Sequence, residues 1–324
     1  MSAGGGTRAI VAALIANLGI AATKFVAFVL TQSSSMLAES IHSVADSGNQ
    51  ALLLGGGKRA QRKANARHPF GYGRERYIYA FIVSIVLFSV GGLFAIYEAW
   101  HKLQHPTPID SWHWVPVLVL VVAIGLESYS FRTAITESNR VRGNVSWVGF
   151  IRRSREPELP VVLLEDAGAL LGLVFALFGV GLTLITDNGV WDGIGTLMIG
   201  VLLVGIAFVL AIETKSLLIG ESATEEHVAA IEQAIEAESE VERIIHMRTL
   251  HLGPDELLIA VKIAVPNGDT AGTIARSIDA VEARIRKAVP LRCLIYIEPD
   301  IYDEPSALAG TDDEPAETTD LRSH

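Results

Sequence analysis

Long apolar runs separated by short polar loops fill the first two thirds of the chain. A membrane-spanning helix needs about 20 mostly apolar residues, and six segments meet this requirement: 9–30, 36–57, 77–100, 114–132, 160–186 and 191–212. The second segment is the least apolar, because it carries Glu39, His42, Asp46 and Asn49. The pattern predicts an α-helical membrane domain with six transmembrane helices over residues 1–213.

The positive charges of this domain are concentrated in two of its loops. The loop after the second segment holds seven Lys and Arg residues, and the loop after the fourth holds five. Cytoplasmic loops of membrane proteins carry an excess of Lys and Arg. Both loops are therefore predicted to be cytoplasmic, and six spans then place both termini in the cytoplasm.

From residue 214 the pattern changes to that of a soluble domain. Residues 224–237 and 270–289 have helical periodicity, and residues 244–252, 256–265 and 292–297 read as strands. The order α-β-β-α-β predicts a small α+β domain over residues 214–300, with helices on one face of a sheet. Residues 301–324 are acidic with little to bury, so we predict a disordered tail.

Composition narrows the function classes. The chain has a net charge of −10, which argues against nucleic-acid binding, because that function needs a basic face. Its single cysteine, Cys293, allows neither an internal disulfide nor a cysteine metal cluster. Cys293 lies between apolar residues and is predicted to be a small core residue.

The polar residues of the second segment form a candidate site. Glu39, His42, Asp46 and Asn49 are spaced by three, four and three residues, which places them on one stripe of a helix. Ionisable groups at membrane depth are unfavourable and face the bundle interior. His and Asp one turn apart are good zinc ligands. The alternatives are a stripe that only joins helices, or residues at the water interface. Polar contacts that join helices usually use one Ser, Thr or Asn.

The fifth segment adds the adjacent acids Glu165 and Asp166. Neighbouring helical residues point about 100° apart, so only one of them can face the second segment squarely. We favour Asp166 as a ligand and keep Glu165 as a candidate. Lys24 could pair with an acid of a neighbouring helix, Asp192 suits the first turn of its own helix, and Glu127 stays ambiguous.

Two motifs resemble the cation diffusion facilitator family of metal transporters: SSSMLAESIHSVAD at residues 33–46 and HPFGYGR at residues 68–74. The resemblance implies six helices, a cytoplasmic ferredoxin-like domain and a homodimer. It assigns metal binding to His42, Asp46 and Asp166, but the family's fourth ligand falls on Val162. Glu165, Glu39, Asn49 or water would complete the site. LLED at residues 163–166 resembles a subgroup that includes the animal mitochondrial zinc transporter.

The resemblance also implies a function. We expect efflux of a divalent metal ion, zinc first and then Mn²⁺, Fe²⁺ or Co²⁺, by antiport with protons, and no enzymatic activity. The metal is cargo, and no resident cofactor is expected. The expected location is the bacterial cytoplasmic membrane, because no organelle-targeting stretch is evident. A membrane enzyme, or a non-transporting scaffold or metal sensor acting through its soluble domain, is the alternative.

Overall fold

The computed structural model describes residues 3–109 and 112–302, and the side chains of the first helix from Asn17 onward. The predicted tail lies, from residue 303, outside the described residues. The chain forms two compact units that divide between Ile219 and Gly220.

The first unit is helical. Within the described residues it has six long helices: α1 (Ala3–Thr31), α2 (Ser34–Ala60), α3 (Glu75–Gln104), α4 (Trp114–Arg142), α5 (Glu158–Thr186) and α6 (Val190–Ile219). Each contains one predicted segment, and a short helix, Trp147–Arg153, precedes α5. Of the described helices, the four from α3 to α6 are long and apolar enough to cross a membrane.

A π-helical stretch interrupts α3 at Leu87–Leu93, where α3 packs closely on α6. A Cβ atom on Gly92 would lie 2.6 Å from Val204 Cγ2, and one on Gly200 would lie 2.9 Å from the backbone nitrogen of Ile96. The two helices can approach this closely because both contact positions lack side chains. π-Helical turns within α-helices often occur beside functional sites.

A buried polar cluster holds the start of α2. The carboxylate of Asp192, from α6, accepts hydrogen bonds from Ser33 Oγ at 2.9 Å, from the Ser34 N–H at 2.7 Å and from the Ser35 N–H at 3.2 Å. Lys102 Nζ, from α3, lies 3.8 Å from Asp192 Oδ2. We call these five residues the Asp192 cluster. Asp192 lies in the first turn of α6, as predicted, but its carboxylate stabilises the positive end of α2.

The second unit confirms the predicted order of elements. It consists of α7 (Glu225–Glu236), β1 (Arg243–Gly253), β2 (Glu256–Ala264), α8 (Ala271–Ala288) and β3 (Arg292–Asp300). The sheet order is β1-β2-β3, with β1 antiparallel and β3 parallel to β2. Both helices pack on the sheet through a common apolar core. Cys293 belongs to that core, as predicted, and burial raises the pKa of its thiol.

Candidate functional site

The polar stripe of α2 is buried. Glu39 and Asn49 are 0% exposed, His42 is 1% exposed and Asp46 is 8% exposed. Their spacing places all four on one face of the helix, and that face contacts α1 and α5 through Lys24 and Glu165. The predicted inward-facing stripe is therefore confirmed.

A small polar pocket lies beside this stripe, among α1, α2, α4 and α5. Its cavity volume is about 20 Å³, enough for one water molecule, and therefore for an ion of similar size. Four of its lining residues are acids, and we call this group the carboxylate pocket: Asp46, Glu127, Glu165 and Asp166. The other lining residues are mostly neutral and polar: Asn17, Ile20, Ser43, Gln50 and Ser130. Oxygen ligands around a small cavity suit a cation.

Glu165 and Asp166 enter the carboxylate pocket from different directions. Asn49 Nδ2 donates to Glu165 Oε1 at 2.7 Å, so the acid that contacts α2 is Glu165 rather than the favoured Asp166. Asp166 Oδ2 accepts from Ser130 Oγ of α4 at 2.9 Å. The angle between successive helical side chains explains this division. Both acids nevertheless line one cavity.

His42 lies one helical turn from Asp46. Its Nδ1 atom is 3.4 Å from Asp46 Oδ1, and a Cβ atom on Gly91, in the π-helical stretch, would lie 3.9 Å from the same nitrogen. Both imidazole nitrogens are buried without a hydrogen-bond partner, as are Asp46 Oδ1 and Asn49 Oδ1. Buried polar atoms in proteins are nearly always hydrogen-bonded, so these atoms have the capacity to bind a ligand.

Glu39 belongs to a different contact. Lys24 Nζ donates to Glu39 Oε2 at 3.0 Å and to Ser43 Oγ at 2.8 Å. Glu39 therefore has a partner in α1, and it is not among the residues lining the pocket. The predicted pairing of Lys24 with an acid of a neighbouring helix is confirmed.

The structure thus brings together part of the predicted set. Asp46, Glu165 and Asp166 share the pocket, while His42 and Asn49 border it through Asp46 and Glu165. Among the described residues, no three His, Cys, Asp or Glu side chains are arranged closely enough to hold a metal ion as they stand. Metal binding would require the acids and His42 to move closer together.

Sequence reasoning missed part of the pocket wall. It gave Glu127 no definite role and did not single out Ser130, yet both line the cavity one helical turn apart on α4. Their signal is a charged residue followed by a hydroxyl at helical spacing within an apolar run. Val162, at the fourth family position, packs in the apolar core and cannot bind metal.

Apolar helices around a buried acidic pocket define an integral membrane protein with a candidate cation site. Two family models match the chain: the cation efflux transmembrane domain over residues 10–219 and the cation efflux protein cytoplasmic domain over residues 223–300. The chain therefore belongs to the cation efflux family, whose members are transporters and not enzymes. This confirms the resemblance noted from the sequence.

Similar proteins include transporters from animals and bacteria. A mitochondrial proton-coupled zinc antiporter of Xenopus laevis is 34% identical over 243 residues, which cover 74% of this chain and 43% of the relative. The human mitochondrial proton-coupled zinc antiporter is 33% identical over 71% of this chain and 41% of its own length. A zinc transporter of Pectobacterium atrosepticum is 24% identical over 84% of this chain and 80% of its own length. The chain thus spans less than half the length of the two mitochondrial relatives.

Proposed function

We propose that this protein exports a divalent metal cation, zinc first, across its membrane in exchange for protons. The observation that carries this proposal is the carboxylate pocket inside the bundle of apolar helices, with His42 beside it. Ionisable residues within a membrane bundle mark ion pathways. The relatives described as zinc transporters support the same substrate.

The proposed metal ligands are His42, Asp46 and Asp166, with Glu165 the next candidate. An imidazole and carboxylates are common zinc ligands. Oxygen atoms outnumber nitrogen atoms in this set, so Mn²⁺, Fe²⁺ and Co²⁺ should be tested beside zinc. Asn49 supports Glu165 through its 2.7 Å hydrogen bond. Glu39 is the last candidate, because it is bonded to Lys24 and does not line the pocket.

Protons are the proposed counter-ion. Metal ligands must be deprotonated, so metal binding releases protons. The carboxyl groups of Asp46 and Glu165 lie within hydrogen-bonding reach of each other. A hydrogen bond between two carboxyl groups needs one proton, which an arriving metal ion would displace. Alternating access would expose the pocket to one side of the membrane at a time.

The finer architecture is also proposed. Six spans would include α1 and α2 beside the four strongly apolar helices, with both termini in the cytoplasm. We infer that the second unit is a ferredoxin-like domain and that the protein acts as a homodimer. A bacterial cytoplasmic membrane is the proposed location; the bacterial relative supports it, whereas the more similar animal relatives are mitochondrial.

The test is zinc-dependent proton flux in vesicles that contain the purified full chain. His42→Ala, Asp46→Ala and Asp166→Ala should each abolish the flux. Glu137→Ala is the matched control, because Glu137 is an exposed acid of α4 that pairs with Arg140 outside the pocket. The flux of this control should equal that of the unchanged protein.

Each result has a clear meaning. Loss of flux in His42→Ala, Asp46→Ala and Asp166→Ala, with normal flux in the control, would establish antiport through this site. The metal that gives the largest flux would identify the cargo. Unchanged flux in Asp46→Ala would refute the site. No flux with zinc, Mn²⁺, Fe²⁺ or Co²⁺ would favour the scaffold or sensor alternative.

A further inference from the structure

Lys24 is a fully buried cation at the edge of the proposed metal site. It is 0% exposed, and its ammonium group is bonded to Glu39 and to Ser43. Ser43 lines the pocket, so the positive charge lies next to the cavity wall. A buried lysine is unfavourable unless it is paired, and Glu39 provides the pairing charge.

The field of this charge reaches the proposed ligands. Lys24 interacts electrostatically with His42, Asp46 and Glu127 as well as with Glu39. A metal cation that entered the pocket would therefore meet a second cation already inside the protein. Two charges interact strongly inside a protein, where water is largely excluded.

The second carboxylate oxygen of Glu39 faces α5. This Oε1 atom is buried without a hydrogen-bond partner, and a Cβ atom on Gly172 of α5 would lie 2.7 Å from it. The absence of a side chain at Gly172 therefore leaves the space that this carboxylate oxygen occupies. Glu39 has one oxygen bonded to Lys24 and one oxygen available, on the same helix face as His42 and Asp46.

We propose that Lys24 sets the metal affinity of the site by holding Glu39 as its counter-ion and so keeping Glu39 out of metal coordination. This inference rests on the proposed transport function. A transport site must bind its ion firmly enough to capture it and weakly enough to release it. With Lys24 paired to Glu39, fewer carboxylate charges attract the metal, and release is faster.

The proposal predicts opposite effects for the two partners. Lys24→Gln frees the Glu39 charge, so the zinc dissociation constant should fall by roughly tenfold or more, with a lower turnover number. Glu39→Gln leaves the Lys24 charge without its partner, so the dissociation constant should rise by a similar factor. In the double variant both charges are absent, and the dissociation constant should return to within about threefold of the original value.

The experiment measures zinc dissociation constants of the purified full chain by competition with a fluorescent chelator, and KM and kcat from vesicle flux. Lys102→Gln is the matched control, because Lys102 is also buried and faces an acid, but in the Asp192 cluster. Its zinc dissociation constant should not change. If Lys24→Gln fails to fold, Glu39→Gln and the double variant still decide, because only this proposal predicts recovery in the double variant.

Three other outcomes would overturn the inference. If both single variants lose stability while the folded protein keeps its zinc affinity, the pair is only structural. If the double variant binds zinc as weakly as Glu39→Gln, Glu39 is a ligand in the original protein. If the unchanged protein binds no metal, the proposed function fails and this inference fails with it.

Discussion

The Asp192 cluster and the carboxylate pocket both contain acids buried inside the helical unit, but the two sites differ in how many hydrogen bonds these acids make. Asp192, 0% exposed, accepts three hydrogen bonds and faces Lys102. Asp46, 8% exposed, has a carboxylate oxygen without a hydrogen-bond partner and other acids nearby. A satisfied polar network holds helices together, whereas an unsatisfied one keeps its capacity for a ligand. Burial alone therefore does not distinguish a structural acid from a binding acid.

The largest predicted effect is on stability, at Asp192. In Asp192→Ala, the bonded Ser33 hydroxyl and two backbone N–H groups lose their acceptor, and Lys102 loses its counter-charge. Removing one partner of a buried ion pair destabilises by about 3–5 kcal/mol. Denaturant unfolding of the full chain in detergent should show this loss. Asp192→Asn keeps one acceptor oxygen and should lose less stability than Asp192→Ala. An unaltered unfolding midpoint in Asp192→Ala would show that the Asp192 cluster is not a structural network.

Asp46 should behave in the opposite way. Asp46→Asn keeps the shape of the side chain but removes a proposed ligand charge, so zinc affinity should fall at least about a hundredfold. Stability should stay level or rise, because the change relieves repulsion from Glu165 and Glu127. Chelator competition and unfolding measured on the same sample check both parts. A large stability loss in Asp46→Asn would mean that the carboxylate pocket, like the Asp192 cluster, is structural.

A third prediction concerns Glu39. One of its carboxylate oxygens is bonded to Lys24 and the other has no hydrogen-bond partner, so Glu39 is intermediate between Asp192 and Asp46. Gly172→Ala places a methyl group 2.7 Å from Glu39 Oε1, and overpacking of this kind costs about 1–3 kcal/mol. Gly181→Ala is the matched control on the same helix, because a Cβ there meets nothing within 4 Å. Thermal unfolding should show a loss for the first variant and none for the second. Equal thermal midpoints for Gly172→Ala and Gly181→Ala would mean that the Glu39 side chain can move away from the added methyl group.

Helix positions could be predicted because hydrophobic periodicity is local, and so could the order of elements in the second unit. The end of α4 could not: the apolar run stops at residue 132, but the helix continues to Arg142 through polar residues. The π-helical stretch of α3 also gave no sequence signal. It lies where Gly92 and Gly200 bring two helices together, and the two glycines are far apart in the sequence.

The site shows the same limit. The spacing of Glu39, His42, Asp46 and Asn49 is enough by itself to place them on one face of a helix. Spacing could not show that Lys24 forms an ion pair with Glu39 or that Ser130 donates a hydrogen bond to Asp166, because these contacts join separate helices. The Asp192 contacts span more than 150 residues of sequence, and only the packed bundle determines them.

The smallest predicted effects come from two serines, and they test the comparison most closely. Ser130 donates a hydrogen bond to Asp166 in the carboxylate pocket, and Ser33 donates one of equal length, 2.9 Å, to Asp192 in the Asp192 cluster. Ser33 Oγ also accepts from the Met36 N–H at 3.3 Å as the N-cap of α2. Ser33→Ala should therefore cost about 1–2 kcal/mol of stability and leave zinc affinity unchanged. Ser130→Ala should change zinc affinity a few-fold, about 1 kcal/mol, with little change in stability, because it alters only the support of a proposed ligand. If both variants changed stability alone, Asp166 would belong with Asp192 among the structural acids, and metal binding would rest on His42, Asp46 and Glu165.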